Sequence, residues 1–533
     1  MTVRHDPDGV YSLLAAAGRP CHVVRAGGRV GATDRLPAPG DGTTVLASAG
    51  PLPPEALGSA GFRRDHGVRH AYMAGAMAGG IASEELVAAL ARDGWLASFG
   101  SAGLPAARLA VALERLEREL GRRGLPFACN LIHSPMAPAM ERVCVDLCLR
   151  HGVRCVEASA FVQLTPELVR YRVTGLAPGR DGGVRAAHRL VAKVSRPETA
   201  ALFLRPAPES LLDALLAAGS VTAGQARLAR AVPMADDVTV EADSGGHTDR
   251  RPLAVALPEM LRLRDRLARE LPGGRPVRVG AAGGIGTPDA AMAAFALGAD
   301  YVVTGSVNQA ATEAGTSAEA KALLAEAGPA DCVMAPSADL FEQGVQVQVL
   351  GRGTMFAGRA ARLLRLYHDH AALSEIPPAE RRHLEERLLR RPLTEVWRDT
   401  AAYLREHDPD RLRRAEEDPK CRMAAVFRWY LAMGSRWAVT GETGRRADWQ
   451  IWCGPAMGAF NAWAAGSALA DPARRSAVAV ATHLMRGAAF EARVAQLRLS
   501  GVRLPAACAR YRLPPALPAA PPPAAPAVRG GWW

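Results

Sequence analysis

The sequence predicts an α/β protein built on a (β/α)8 barrel, and three observations predict it. Eight short apolar runs, rich in small and β-branched residues, recur between residues 70 and 306. The stretches separating them carry helix patterning, with Ser, Thr or Pro near their starts and Gly near their ends. Glycine-rich turns gather after the sixth, seventh and eighth runs, where barrels of this kind form phosphate sites. An open doubly wound sheet is the runner-up, but no GxGxxG follows the first run.

The runs in order are HAYMAGAMA (70–78), WLASFG (95–100), FACNLI (127–132), RCVEAS (154–159), LVAKVS (190–195), DVTVEAD (237–243), VRVGAAGG (277–284) and YVVTGS (301–306). Most lack strict alternation, as parallel strands covered on both faces do. Of the stretches between them, SEELVAALARDG (83–94) opens on a capping serine and two acids and closes on glycine. PAARLAVALERLEREL (105–120) is amphipathic, and SPMAPAMERVCVDLCLRHG (134–152) has a serine cap and a terminal glycine. TPELVRYRVTG (165–175) and TPDAAMAAFALG (287–298) place proline in the first helical turn. The insertion 196–236 predicts two short helices.

Around the barrel, 70–310, the pattern predicts a small, partly β appendage over 1–69 and a lid or subdomain at the barrel mouth over 311–359. A helical C-terminal extension follows over 360–498, then a Pro/Ala-rich disordered tail over 499–533.

Lys and Arg number 65 against 53 Asp and Glu, a net charge of +12. The arginines are interleaved with acids along helices, and no basic stripe with stacking aromatics is present, so a nucleic-acid partner is not expected. No apolar run has the length and purity of a membrane span, and the N-terminus lacks a signal-peptide core, so cytoplasmic residence is expected. The nine cysteines form no CxxC pair and read as buried reduced thiols. Cys144 and Cys148 share a helical face without a completing His/Cys cluster, so no metal site is expected.

The chemistry is read from the loops. Gly283, Gly284 and Gly286, with Ile285 between them, precede a helix starting near Thr287 and form a concavity of backbone N–H groups suited to phosphate. Gly305 and Ser306 add an amide and a hydroxyl after the next strand. Two such turns after consecutive strands favour a mononucleotide-sized cofactor. Asn130, Glu157, Lys193, Glu241, Asp243 and His247 fall at strand ends that converge on the same mouth. Lys193 lies in an apolar run, where burial needs a partner: an ion pair with Glu157 or Glu241, or a charge on the cofactor. His247, in ADSGGHTD, is either a turn residue or a proton-transfer group, since its ordinary pKa suits transfer near neutrality. His133, in NLIHSP, is the second proton-transfer candidate.

These segments, together with YMAGAMAGGIASEELV, AKVSRPE, MAPSADLFEQGVQVQVLGRGTMF and QIWCGPAMGAFNAW, resemble the PfaD family over roughly 65–498. Its members are stand-alone enoyl reductases of polyunsaturated fatty acid and polyketide synthases, within the nitronate monooxygenase-like flavoproteins. The resemblance implies a TIM barrel binding FMN, with Gly283, Gly284, Gly305 and Ser306 on the phosphate. It sets Ala74, Asn130, Lys193 and Gly245 against the ring or ribityl chain, and Gly75, Glu157, Asp243, Ser244, Gly246, Ile285 and Gly286 complete the implied cofactor contacts. His247 matches the histidine that the wider superfamily places beside the flavin, and His247, Lys193 and His133 are the candidate catalytic residues. NADPH or NADH would supply hydride, and an acyl carrier protein of a modular polyketide or polyunsaturated fatty acid synthase would present the enoyl thioester. The positive charge would steer that acidic carrier, with 437–463 and the helical extension as docking wall. Oligomeric state stays open between monomer and homodimer. A nitronate monooxygenase and a non-catalytic flavin-binding scaffold protein of the synthase are the alternatives.

Overall fold

A computed structural model describes residues 2–135, 138–179, 182–270 and 276–515. Its centre is a closed barrel of eight parallel strands at the expected eight places: Tyr72–Ala74, Leu96–Phe99, Ala128–Ile132, Cys155–Ser159, Arg189–Val194, Asp237–Glu241, Arg278–Ala282 and Val302–Thr304. Neighbours in sequence are neighbours in the sheet, and Val302–Thr304 closes it by pairing with Tyr72–Ala74. Side chains alternate between the lumen and the surrounding helices, so Met73, Leu96, Ala128, Cys155, Val191 and Val303 share one buried interior cluster.

Three of the caps read from sequence are made; the start of the helix Pro138–Arg150, where Ser134 was expected to cap, adjoins residues outside the described ones. Ser83, Thr165 and Thr287 accept backbone N–H bonds from Leu86 (3.1 Å), Leu168 (3.3 Å) and Ala290 (3.3 Å), starting the helices Glu84–Arg92, Pro166–Val173 and Pro288–Ala296. The insertion before the sixth strand holds three helices, Pro197–Leu204, Glu209–Ala217 and Ala223–Ala229, where two were expected. A further helix, Leu253–Ala268, escaped the sequence pattern. Its internal Pro258 and its arginines disguise a buried face of Ala256, Leu257, Met260, Leu263 and Leu267.

The eighth barrel helix lies far from its strand in sequence. Helix Ala477–Leu499 packs between Pro288–Ala296 and Glu84–Arg92, the position owed to the helix after Val302–Thr304. The chain between them is one long insertion. Its own core joins the expected lid to the expected helical extension, through Phe341, Val349, Phe356, Leu363, Phe427, Tyr430, Trp449 and Met457. The two regions therefore share one core, and the last helix of the extension belongs to the barrel.

The N-terminal appendage is a three-stranded antiparallel sheet, with Cys21–Ala26 between Arg29–Thr33 and Thr44–Ala49. It packs on Phe490, Val494 and Leu497 of the eighth helix. Helix Ala60–His66 then plugs the N-terminal end of the barrel, where Phe62 stacks on Tyr301 with centroids 4.4 Å apart. Ordered chain continues past the expected boundary at 499: Cys508 and Ala509 are buried beside the appendage, and the Tyr511 N–H donates to Glu491 at 2.8 Å. Residues 516–533 of the expected tail lie outside the described residues. Among the described residues no helix is long and apolar enough to cross a membrane.

Candidate active site

Parallel strands deliver their last lumen-facing side chains to one rim. Asn130 ends the third strand's contribution, and its Nδ2 donates to the Glu157 carbonyl (3.0 Å) and to Ser159 Oγ (2.6 Å). Glu157, on the fourth strand, is fully buried, and its Oε2 accepts the Ala76 N–H at 2.8 Å. Its Oε1 has no hydrogen-bond partner among the described residues, and it would stand 3.4 Å from a Cβ placed on Gly75. The adjoining Ala74 is fully buried.

Lys193 Nζ on the fifth strand lies 3.1 Å from Glu241 Oε1 on the sixth. Burial by itself would push the ammonium down, but the Glu241 and Glu157 carboxylates outweigh it and hold Lys193 above the ordinary lysine value. The structural ion pair expected with an acid is thus made with Glu241. Ser244 Oγ donates to the same carboxylate at 3.3 Å.

The Ser244–His247 turn is held from above by the insertion. Gly246 and His247 pair antiparallel with Gln348 and Val347. With its amide nitrogen turned toward the acceptors, Gln348 donates to the Ser244 carbonyl (2.6 Å) and to Asp243 Oδ1 (3.2 Å). Gly246 needs its glycine, at φ +81°. His247 Nε2 reaches Asp339 Oδ2 at 3.3 Å and Ser337 Oγ at 3.2 Å, and Ser337 Oγ also donates to Asp339. Burial would lower the imidazole pKa, but the Asp339 carboxylate reverses this and raises it above the ordinary histidine value.

The phosphate turns are framed by a segment the loop reading did not place there. A Cβ on Gly286 would fall 2.1 Å from the Ala456 carbonyl oxygen, and one on Gly245 would fall 3.0 Å from the Cys453 and Gly454 backbone. The Gly454 N–H donates to Ser306 Oγ at 3.0 Å. Ile285 is buried in the same turn, and Gly283, at φ +87°, backs onto Ala242. By contrast, among the described residues nothing beyond the adjoining chain lies within 4 Å of a Cβ position on Gly284 or Gly305. The residues fit FMN: two open glycine backbones beside a hydroxyl for the phosphate, and an unpartnered carboxylate oxygen and an ammonium at the rim.

His133 is held elsewhere on the mouth. It is nearly buried, its Nδ1 lies 2.9 Å from Glu141 Oε1, and it stacks on Phe161 with centroids 5.1 Å apart. Glu141 also accepts from the Ser134 N–H (2.7 Å) and the Thr165 hydroxyl (2.9 Å), so this histidine is woven into loop structure. Trp437 and Trp449 are buried in the insertion core, so the segment 437–463 does not present them as a docking wall.

Sequence reasoning missed Ser337, Asp339 and Gln348, and missed where Cys453 and Gly454 sit. Their segments, SADLFEQGVQVQ and QIWCGP, carry no local pattern that aims them at a turn tens of residues away. It also missed that strand residue Cys129 joins Cys144 and Cys148 in one buried cluster with all three sulfurs within 4.8 Å. Cys129 (3.5 Å) and Cys144 (3.6 Å) both donate to the Asn130 carbonyl.

Comparison with known proteins adds to this geometry. A family model described as acyl-carrier-protein S-malonyltransferase, inserted helical domain, matches residues 370–449. The crystal structure of the enoyl reductase domain of MlnA, from the macrolactin biosynthesis cluster of Bacillus amyloliquefaciens, superposes with a TM-score of 0.80 at 37% identity. That match covers 84% of this chain and 100% of the MlnA domain. A polyunsaturated fatty acid synthase component of Thraustochytrium sp. is 47% identical over 450 residues, 83% of this chain and 30% of that longer protein. Polyketide biosynthesis protein PksE of Bacillus subtilis is 43% identical over 431 residues, 81% of this chain and 56% of PksE. The chain thus spans between about a third and just over half of these two longer relatives. The barrel and its relatives together define the class as a (β/α)8 flavoprotein. Within that class, the chain belongs to the PfaD family of enoyl reductases.

Proposed function

We propose that the protein is an FMN-dependent enoyl reductase that saturates the α,β-double bond of enoyl thioesters presented by an acyl carrier protein of a polyketide or polyunsaturated fatty acid synthase. The observation that carries the reading is the convergence on one rim of the two open glycine turns, the Lys193–Glu241 pair and a histidine whose Nε2 faces Asp339. The likeness of 84% of the chain to an enoyl reductase domain supports the same chemistry over nitronate oxidation.

The chemistry FMN supplies when bound is hydride transfer from NADPH or NADH to the β-carbon of the thioester. Gly283, Gly284, Gly305 and Ser306 would hold the phosphate through backbone amides and one hydroxyl. Ala74, Gly75, Asn130 and Gly245 would border the ring and its side arm. Lys193 sets positive charge against the ring, and Glu157 and Glu241 keep that ammonium charged within the rim. His247, kept protonated to higher pH than a free histidine, delivers a proton to the α-carbon as negative charge develops there. His133 positions the third loop. The net positive charge attracts the acidic carrier.

The test is anaerobic and spectroscopic. The purified holoprotein should show a bound-flavin spectrum, bleach with NADPH or NADH, and regain colour on adding crotonyl-carrier protein. Recovery with a nitroalkane anion and not with the enoyl thioester would reassign it to nitronate oxidation. Recovery with neither would leave a flavin-binding scaffold.

A further inference from the structure

We propose that Asp339, carried by the inserted segment, is the positioning residue for His247, holding the Nε2 proton so that Nδ1 is the nitrogen that exchanges a proton with substrate. The proposal rests on the proton-donor role given to His247 above, and it adds the partner, the tautomer and the part of the chain that supplies them.

The geometry is asymmetric about the ring. Nε2 is engaged twice, by Asp339 Oδ2 at 3.3 Å and Ser337 Oγ at 3.2 Å, while Nδ1 has no hydrogen-bond partner among the described residues. An imidazole with a carboxylate on one nitrogen keeps its proton there, which fixes the other nitrogen as the site of exchange. In the step itself the Nδ1–H bond breaks and its electron pair stays on nitrogen. The proton bonds to the electron pair on the substrate α-carbon, and a neutral imidazole is left with Nε2–H still facing Asp339. Solvent reprotonates Nδ1 before the next turnover. The His247 side chain is 41% exposed and that of Asp339 is 55% exposed, so the pair is open to both substrate and water.

Charges from every element packed on His247 act on it. Asp339 comes from the inserted loop, Glu241 from the sixth strand and Lys193 from the fifth. Glu241 and Lys193 are paired with each other at 3.1 Å, so their opposite influences largely offset and Asp339 is left to decide the charge of the ring.

The loop bearing Asp339 is built to hold position. The Ser337 N–H donates to the Val345 carbonyl at 2.8 Å, at the root of the hairpin that also pairs with Gly246–His247. Phe341 is fully buried against Tyr367 and Phe427. Glu342 is gripped by Arg428 at 3.1 Å and Arg411 at 3.4 Å, both from the helical part of the insertion. The stretch of about 170 residues between the eighth strand and the eighth helix thus orders the histidine of the sixth-strand turn.

The deciding measurement needs no turnover. Histidine-selective isotope labelling of the holoprotein, with His247 assigned through His247→Gln, gives the imidazole pKa and tautomer by NMR titration. In the wild type the neutral ring should carry its proton on Nε2 with a pKa above the ordinary value. Asp339→Asn should lower that pKa by about one unit or more, Asp339→Glu should restore most of it, and Glu342→Gln should give a smaller shift in the same direction. In turnover, Asp339→Asn should move the alkaline limb of kcat to lower pH and leave KM for the carrier-bound thioester within about twofold. An unchanged His247 pKa and tautomer in Asp339→Asn overturns the proposal, even if activity falls. The expected NMR shift without enoyl reduction by the wild type would instead overturn the proton-donor role while leaving the pair intact.

Discussion

Lys193 Nζ and Glu241 Oε1 stand 3.1 Å apart across two neighbouring barrel strands, and both side chains are more than four-fifths buried. A second carboxylate, Glu157, also acts on the ammonium, and its Oε1 is left without a hydrogen bond. The rim therefore holds two acids around one base, in a place where unpaired charge is costly.

Lys193→Met should leave both acids uncompensated. Denaturant unfolding of the apoprotein should show a loss of about 2 kcal/mol, below the full cost of breaking a buried pair because the rim is partly solvated. In the holoprotein the midpoint potential should become more negative, since positive charge near the ring favours its reduced, anionic form. A spectroelectrochemical titration with an unchanged potential would remove Lys193 from the ring's surroundings.

At the opposite end of the barrel, Asp237 predicts stability and not catalysis. It is fully buried, with Arg278 Nε at 2.6 Å and His66 Nε2 at 2.8 Å. Burial alone would raise its pKa, but these two partners pull it down to about 2. A depressed carboxyl contributes stability that is complete above the unfolded value near 4 and is lost as pH falls toward 2. Asp237→Asn should cost about 3 kcal/mol at neutral pH, should flatten the acid limb of the stability curve, and should leave kcat unchanged.

The eight strands were legible because each is a local apolar run, and the caps at Ser83, Thr165 and Thr287 because a cap is chemistry over four residues. The rim residues Asn130, Glu157 and Lys193 followed from strand ends alone. Asp339 and Gly454 did not, since their roles come from an insertion folding back on turns about 90 and 150 residues distant. The eighth helix was visible as a helix, but its place in the barrel was hidden by the length of chain before it. Leu253–Ala268 was hidden for a local reason, a proline within its buried stripe.

Thiol reactivity should follow burial. Cys421 is exposed, whereas Cys129, Cys144 and Cys148 are enclosed together behind Asn130. Hydrogen bonding from the neighbouring thiols, with burial added, pushes the Cys129 and Cys148 thiols well up, which suppresses thiolate. A chromogenic disulfide reagent should label Cys421 first in the native protein, with Cys421→Ser removing the fast phase. The clustered three should react only on unfolding.

Two glycines just beyond the seventh strand separate fold from cofactor binding. A methyl on Gly286 would lie 2.1 Å from the Ala456 carbonyl oxygen, a backbone atom in a packed segment that has no room to yield. Gly286→Ala should therefore lift residues 453–456 off the phosphate turns, lowering Tm and weakening FMN together. A methyl on Gly284 meets nothing within 4 Å, and its φ of +70° adds only local strain of about 1–2 kcal/mol. That methyl would project into the space assigned to the phosphate. Gly284→Ala should thus raise the FMN dissociation constant at least tenfold while the apoprotein melts within a few degrees of wild type. Flavin fluorescence titration beside thermal unfolding of the two apoproteins reads both quantities, and equal FMN affinity in Gly284→Ala and wild type would move the phosphate to another turn.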